Sequence, residues 1–333
     1  MNDKILLTHG GGGEEMGELI KNLFFKHFGN DILNKNEDAA SLCVNENIAF
    51  TTDSFVVTPL FFSGGNIGKI AIAGTVNDLV SVGAKPLYIG CGFIIEEGFL
   101  IDELEKIVIS MSEEMKKSGV KIVAGDTKVV PRGFADKIFI NTSGIGEIVC
   151  KNISSHNLSF GDTILVTNKI GNHGACILSN REELELVGDI KSDCASLWSP
   201  ISELFKNNIK PKALRDATRG GLSAVLNEWA QTSNVGILIN EEKILIEDSV
   251  KGVCEIFGFE PYEFANEGTM VICANREDAQ KIVEILQNFE ETKFTHIIGE
   301  VTNECKKQVI LKSAWGTSRY LELPKGELLP RIC

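Results

Sequence analysis

Two runs of alternating strand-like and helix-like periodicity, separated by one polar break and followed by a stretch with no period, constrain this chain most strongly. After the glycines at 10–13, Met16, Leu19, Ile20, Leu23 and Phe24 recur at helical spacing and predict a helix to about His27. Residues 48–57 (IAFTTDSFVV) predict a strand. A helix is expected from Asn66 to Val82, ended by Gly83 and Pro86, and then a strand at 87–95. Asp102 with Glu105 reads as a capping box for a helix that turns Leu104, Ile107, Val108, Met111 and Met115 inward and closes at Gly119. Strands at 120–124 and 138–149 complete a mixed α/β unit with helices stacked on one sheet face.

The segment CKNISSHNLSFG at 150–161 is polar and turn-rich, so the boundary between the two halves is expected there. Beyond it, strands are expected at 163–167, 235–239, 269–274, 295–302 and 307–312, with helices near 173–180, 200–208, 221–232 and 276–288. Trp315 to Cys333 carries Gly316, Pro324, Gly326 and Pro330 and no sustained period, which predicts an extended tail. The expected organisation is a glycine-rich arm and helix (1–36), two α/β domains (37–150 and 151–314) and a flexible tail (315–333).

A chain of 333 residues, 43% hydrophobic and 24% charged, is long enough for two ordinary domains with substantial cores. It has no apolar run of the roughly 18–20 residues a membrane helix needs. Met1–Lys4 shows no basic start leading into an apolar stretch, so a cytoplasmic protein is expected. A net charge of −13 argues against duplex nucleic acid as a partner, because phosphate binding needs clustered cations. It leaves nucleotides open, since Mg²⁺ held by carboxylates bridges an acidic protein to a triphosphate. The nine cysteines form no CxxC and the five histidines do not fall at zinc-ligand spacing around them, which suggests reduced thiols, most of them small core residues.

Two familiar nucleotide motifs are excluded. Gly64–Ile70 (GGNIGKI) is one residue short of a phosphate loop, and Ile70 stands where a hydroxyl would hold Mg²⁺; no GxGxxG follows a strand. Aspartates at the edges of elements suggest another design: Asp38, Asp53 in TTDSF, Asp78 after Asn77, and Asp126 at the expected strand end in GDTK. His9-Gly10-Gly11-Gly12-Gly13 before a helix is suited to anions, because consecutive glycine amides close around a phosphate. Arg215-Asp216-Ala217-Thr218-Arg219-Gly220-Gly221 places guanidinium, carboxylate and a helix start together.

HGGGG, TTDSF, NDL, GDTKVV, ATRGGL and NEGT together resemble the aminoimidazole ribonucleotide synthetase (PurM-like) superfamily, which includes selenophosphate synthetase and thiamine-monophosphate kinase. Within it, the closing Pro330-Arg331-Ile332-Cys333 is similar to the HypE family of hydrogenase maturation factors, the carbamoyl dehydratases. The resemblance implies a two-domain PurM-like α/β (α+β) fold. It also implies that the partner carbamoyltransferase HypF loads Cys333, that ATP then drives dehydration of the S-carbamoyl group to a thiocyanate, and that cyanide passes to iron on a HypC–HypD complex.

By the same resemblance, nucleotide contacts fall to His9, Gly10, Gly11, Gly12, Asp53, Asn77, Thr127, Arg215, Arg219, Gly220 and Gly221. Mg²⁺ would be held among Asp38, Asp53, Asp78 and Asp126, with Asp216 able to replace one of them. Lys128 and Glu267 stand near the tail, either one the base that removes the nitrogen protons. The superfamily's habit of pairing N-terminal domains into a barrel implies a homodimer. Selenophosphate synthetase and thiamine-monophosphate kinase are the alternatives within the superfamily. The first is disfavoured because residues 9–13 contain only His and Gly, the second because it needs no terminal Cys. A non-catalytic carrier is a third alternative, against which the aspartate set argues.

Overall fold

The computed structural model describes residues 4–10, 14–35, 40, 42–44, 47–182, 190–324, 329 and 331–333. Of the expected site residues, Gly11, Gly12 and Asp38 lie outside these. The chain enters through helical segments α1 (Glu14–Leu19), a π turn (Ile20–Phe25) and α2 (Lys26–Phe28), the helix expected to His27. Leu23, Phe24 and Phe28 are buried, and Phe24 lies 4.9 Å from the Phe93 ring.

Strand β1 (Ile48–Phe55) leads through a hairpin of β2 (Phe61–Phe62) and β3 (Gly65–Asn66) into helix α3 (Ile67–Ser81). Asn66 caps that helix, its side-chain oxygen accepting from the amides of Gly68 at 2.9 Å and Lys69 at 3.1 Å. Buried on nearly all sides, α3 needs glycine where neighbours press close. A Cβ at Gly68 would stand 2.5 Å from the Ile107 carbonyl.

Then come β4 (Ala84–Glu96), α4 (Ile101–Ser118), β5 (Lys121–Val130) and β6 (Ile138–Ile148). Gly119 ends α4 in the left-handed region, as expected. The expected capping box does not form. Leu100 occupies the N-cap without a side-chain bond, and Glu105 instead pairs with Lys26 at 2.8 Å and His27 at 3.4 Å. Asp126 does not end its strand either: β5 continues to Val130 because it pairs in parallel with β4 along its length.

These strands form one four-stranded sheet in the order β1-β6-β4-β5, with α3 and α4 on one face. Side chains on the other face lie in rows, because residues opposite one another across a ladder share a face. Ser54, Asn141, Gly92 and Asp126 make one such row. The open face exposes Ile48 (47%), Phe50 (65%) and Ile94 (45%).

The second half runs β7 (Thr163–Val166), α5 (Asn172–Arg181), α6 (Trp198–Lys206), β8 (Ala213–Asp216), α7 (Gly221–Thr232), β9 (Gly236–Asn240), α8 (Asp248–Phe257), β10 (Met270–Ala274), α9 (Ala279–Leu286), β11 (His296–Thr302), β12 (Val309–Lys312) and β13 (Ser318–Tyr320). The order β13-β12-β9-β11-β7-β10-β8 makes a seven-stranded mixed sheet. Strands β8 and β13 and helix α8 are additions to the expected elements. The stretch from Trp315 is therefore not all extended tail: β13 pairs with β12, and Leu321 is buried.

The halves meet along α3, which packs on β8. The Asn77 amide bridges them, donating to the Ala195 carbonyl at 3.1 Å and accepting from the Leu197 amide at 2.8 Å. The Ser196 amide donates to Glu114 at 2.7 Å, and the Ser192 amide to the Ser63 carbonyl at 2.9 Å.

Candidate active site

The last residues lie in the cleft between the halves, added to the chain that leaves β1. The Val56 amide donates to the Cys333 main-chain oxygen at 2.9 Å and the Thr58 amide to the Arg331 oxygen at 3.2 Å. Arg331 donates through Nε to the Val56 carbonyl at 2.7 Å, pairs with Asp136 and lies over the Phe139 ring. Ile332 is buried. A cavity of about 320 Å³ remains beside the tail, lined by Ser54, Arg219, Gly220, Phe264 and Cys333 among others.

The cleft beneath Cys333 is acidic. Asp53 comes from β1, Asp78 from α3, Asp216 from the end of β8 and Glu267 from the loop before β10. Thr51 donates to Asp78 at 2.7 Å, and Ser54 donates its amide to Asp53 at 2.7 Å. Burial raises all four carboxyls, and mutual repulsion adds to it for Asp78, Asp216 and Glu267. Asp216 is pushed up to about 7 by burial and then by Asp78, and Glu267 stands well above the ordinary carboxylate range. Glu267 Oε1 is buried with no hydrogen-bond partner. Burial, and next the nearby Glu267 carboxyl, push the Cys333 thiol up to about 12, so the docked sulfur is neutral at physiological pH.

Such a cleft favours an arriving cation, because burial disfavours the charge of all four carboxyls and repulsion adds to it at Asp78, Asp216 and Glu267. Among the described residues, however, no three His, Cys, Asp or Glu side chains stand together as a ready-made metal site. The Arg219-Gly220-Gly221 turn closes the cleft from the second half. Both glycines have positive φ, and a Cβ on Gly221 would meet the Phe264 carbonyl at 2.5 Å. Arg215 pairs with Glu228 at 2.5 Å while its charge reaches Asp78 and Asp216.

Other expected residues stand elsewhere. Asp126 and Lys128 pair at 2.9 Å, both exposed, on the open sheet face. Their strand is the far edge from β1, three strand spacings or roughly 14 Å away within one chain. Thr127 is buried on the helix-covered face, and Asn77 spends both ends of its amide on the bridge between the halves. His9 lies in a 3₁₀ turn packed on β5, its Nδ1 accepting from the Leu6 amide at 3.0 Å, and Gly10 ends that turn. The sequence reading passed over His173, Arg181, Ser192 and Asp193. Their roles come from contacts between segments remote in the chain, and no local motif marks them.

The fold and cleft together define a class. Residues 36–148 match the N-terminal domain of the AIR synthase related proteins and residues 160–312 their C-terminal domain. The chain is 44% identical over 338 residues to carbamoyl dehydratase HypE of Escherichia coli (strain K12), covering 99% of this chain and all of that one. A crystal structure of hydrogenase maturation protein HypE in complex with ATP superposes with a TM-score of 0.94 at 41% identity, covering 98% of this chain and 99% of that one. The HypE chain of a HypE–HypF complex matches with a TM-score of 0.80 at 48% identity, over 92% of this chain and 99% of that one. The chain belongs to the HypE family of hydrogenase maturation proteins, within the AIR synthase related fold.

Proposed function

We propose that this protein is an ATP-dependent carbamoyl dehydratase in which Cys333 carries the reacting group. The observation that carries the reading is the docking of Cys333 beside Glu267 over an acidic cleft. The reaction converts a thiocarbamate and ATP into a thiocyanate, ADP and phosphate. The carbamoyl oxygen takes the γ-phosphoryl group, both nitrogen protons leave, and the C–O bond breaks with phosphate as the leaving group.

The chain's own groups divide that work. Arg219 and Gly220 line the cleft at the start of α7, and a guanidinium beside a helix N-terminus suits phosphate oxygens. Glu267 suits the base, because a carboxyl raised well above its ordinary range is a stronger acceptor near working pH. Lys128 enters this reading only through a second copy seated on the open sheet face. Asp53, Asp78 and Asp216, though not gathered as a ready-made site, would be the groups to hold Mg²⁺, since a divalent cation relieves the repulsion among them. Mg²⁺, when bound, neutralises phosphate charge. Asp126 reaches the nucleotide only if a partner copy brings it to the cleft.

Docked, the Cys333 thiol is neutral and shielded, so it is a poor nucleophile. Loading therefore belongs to an undocked tail presented to HypF, and dehydration to the docked tail. We take the division of labour to follow the halves, with 37–150 supplying the acidic floor and the dimer face, 151–314 the Arg219 turn and Glu267, and 315–333 the carrier. The exposed apolar residues of the open sheet face support a homodimer. Among the described residues no helix is long and apolar enough to cross a membrane, which accords with work in the cytoplasm beside HypF and a HypC–HypD acceptor.

The test is the intact mass of the protein incubated with carbamoyltransferase, carbamoyl phosphate and MgATP, beside Cys333→Ala. A gain of one carbamoyl group, then loss of one water as ATP is consumed, is expected in wild type alone. Equal modification of both proteins sinks the reading.

A further inference from the structure

The docked tail is gripped through its main chain by side chains that lie outside the acidic cleft. Arg181, at the end of α5, donates through Nη2 to the Arg331 carbonyl at 2.5 Å and through Nε to the Thr58 carbonyl at 2.7 Å. His173, near the start of the same helix, is fully buried, and its Nε2 bonds the Ile332 carbonyl at 2.7 Å. A carbonyl only accepts, so the Nε2 proton is on His173, and Nδ1 accepts from the Ser192 hydroxyl at 2.8 Å. The Phe62 ring packs edge-on to the imidazole at 5.4 Å and holds its plane.

Ser192 leads directly to the acid of the cleft. Its neighbour Asp193 accepts from the amides of Glu267 and Gly268 at 3.0 Å each and from the Thr269 hydroxyl at 2.7 Å. Two consecutive residues thus hold, on one side, the histidine that grips the tail and, on the other, the loop that bears Glu267. We infer that His173 is a positioning residue for the carrier tail: it seats Ile332 by its carbonyl and, through Ser192–Asp193, keeps Cys333 and Glu267 in one frame.

The purpose of this latch rests on the carrier role proposed above, but the latch itself is a property of the docked tail. Without the His173 donor, the Ile332 carbonyl would be buried and unsatisfied, which shifts the docking equilibrium toward the free tail. The expected shift is about tenfold, equivalent to ~1.4 kcal/mol.

Iodoacetamide labelling of the full chain, without nucleotide or partner and resolved cysteine by cysteine, reads that equilibrium. His173→Leu removes the donor; His173→Gln keeps an N–H at similar reach. Cys305 is exposed and serves as the internal reference, while Cys176 and Cys194 are buried beside the latch. Cys333 labelling should rise about tenfold relative to Cys305 in His173→Leu and return most of the way in His173→Gln, with Cys176 and Cys194 protected throughout. Unchanged Cys333 labelling in His173→Leu, or equal labelling in both variants, overturns the assignment. Joint reaction of Cys176, Cys194 and Cys333 would mark His173 as ordinary core packing and also overturn it. The readout uses no ATP, so its failure leaves the dehydratase reading intact. Failure of wild type to dehydrate a loaded tail would leave the latch intact.

Discussion

The Asp193 carboxylate accepts the Glu267 main-chain amide at 3.0 Å, so the loop bearing the buried acid hangs from a half-buried one. The Ala195 amide returns a bond to the Glu267 carbonyl at 3.2 Å. A Cβ at Gly268 would stand 1.9 Å from the Asp193 carbonyl, so the approach of the two segments requires glycine there. Asp193→Ala leaves the Glu267 and Gly268 amides and the Thr269 hydroxyl without their acceptor, at a cost of about 3 kcal/mol. The denaturant midpoint measures this; a change under half a kcal/mol would show that the loop holds itself. Asp193→Asn keeps one acceptor oxygen and removes a charge that raises Glu267, so the acid limb of the dehydration rate should move to lower pH.

Asp216 gives the fold a pH dependence whose sign follows from linkage. Its carboxyl is raised from 3.8 to about 7 by burial and by Asp78, so at intermediate pH the fold holds a proton that the unfolded chain has released. The contribution is complete below about 3.8 and is lost as pH climbs through about 7. Urea melts at pH 5 and pH 8, without nucleotide, should show a smaller loss of stability in Asp216→Asn than in wild type. An equal loss in both would mean that other groups carry the dependence.

Gly221→Ala tests the turn that faces the cleft. The residue has φ +57°, and an added Cβ would meet main-chain oxygens of Phe264 at 2.5 Å and Tyr262 at 2.6 Å, neither the end of a flexible side chain. A loss of about 2–4 kcal/mol is expected, with a matching fall in melting temperature. An unchanged melting temperature would mean that the 262–264 segment moves aside freely.

Phe50→Glu tests the open sheet face. Phe50 is exposed in the row with Ile145 and Tyr88, and a charge there opposes burial against a second copy. Light scattering at micromolar concentration should report a dimer for wild type and a monomer for the variant. A monomeric wild type removes the dimer from the proposed function, and with it the route by which Lys128 reaches the cleft.

Asp78→Asn separates catalysis from carriage. Asp78 lies in the acidic floor, bonded to Thr51, and its loss should reduce ATP turnover at least a hundredfold while Cys333 still accepts a carbamoyl group. Undiminished turnover would favour a carrier without its own chemistry.

Helix α3 and the Gly119 stop of α4 were legible in the chain, because stop signals and periodicity act between residues a few positions apart. So were the alternation of two α/β halves and the motif residues Asp53, Asp78, Asp216, Arg219, Glu267 and Cys333. The same local logic misjudged Asp126, whose Gly-Asp pair resembles a strand end yet sits mid-strand once β4 supplies its partner. It made a capping box of Asp102 and Glu105, where Lys26 and His27 claim the glutamate from a distant helix. It also missed β13, which is a strand only because β12 offers an edge.

Which face of the sheet a carboxylate takes depends on strand register, and a side chain's partner depends on which segments meet. Asp53 and Asp126 therefore look alike in the chain and stand on opposite faces of the same sheet, and His173 gains a role only when Ile332 arrives beside it. Local pattern decides the elements, and with the family resemblance it marks the candidate residues. Their convergence is decided by packing, because the repulsions among Asp53, Asp78, Asp216, Glu267 and Cys333 exist only after five remote segments have been brought together.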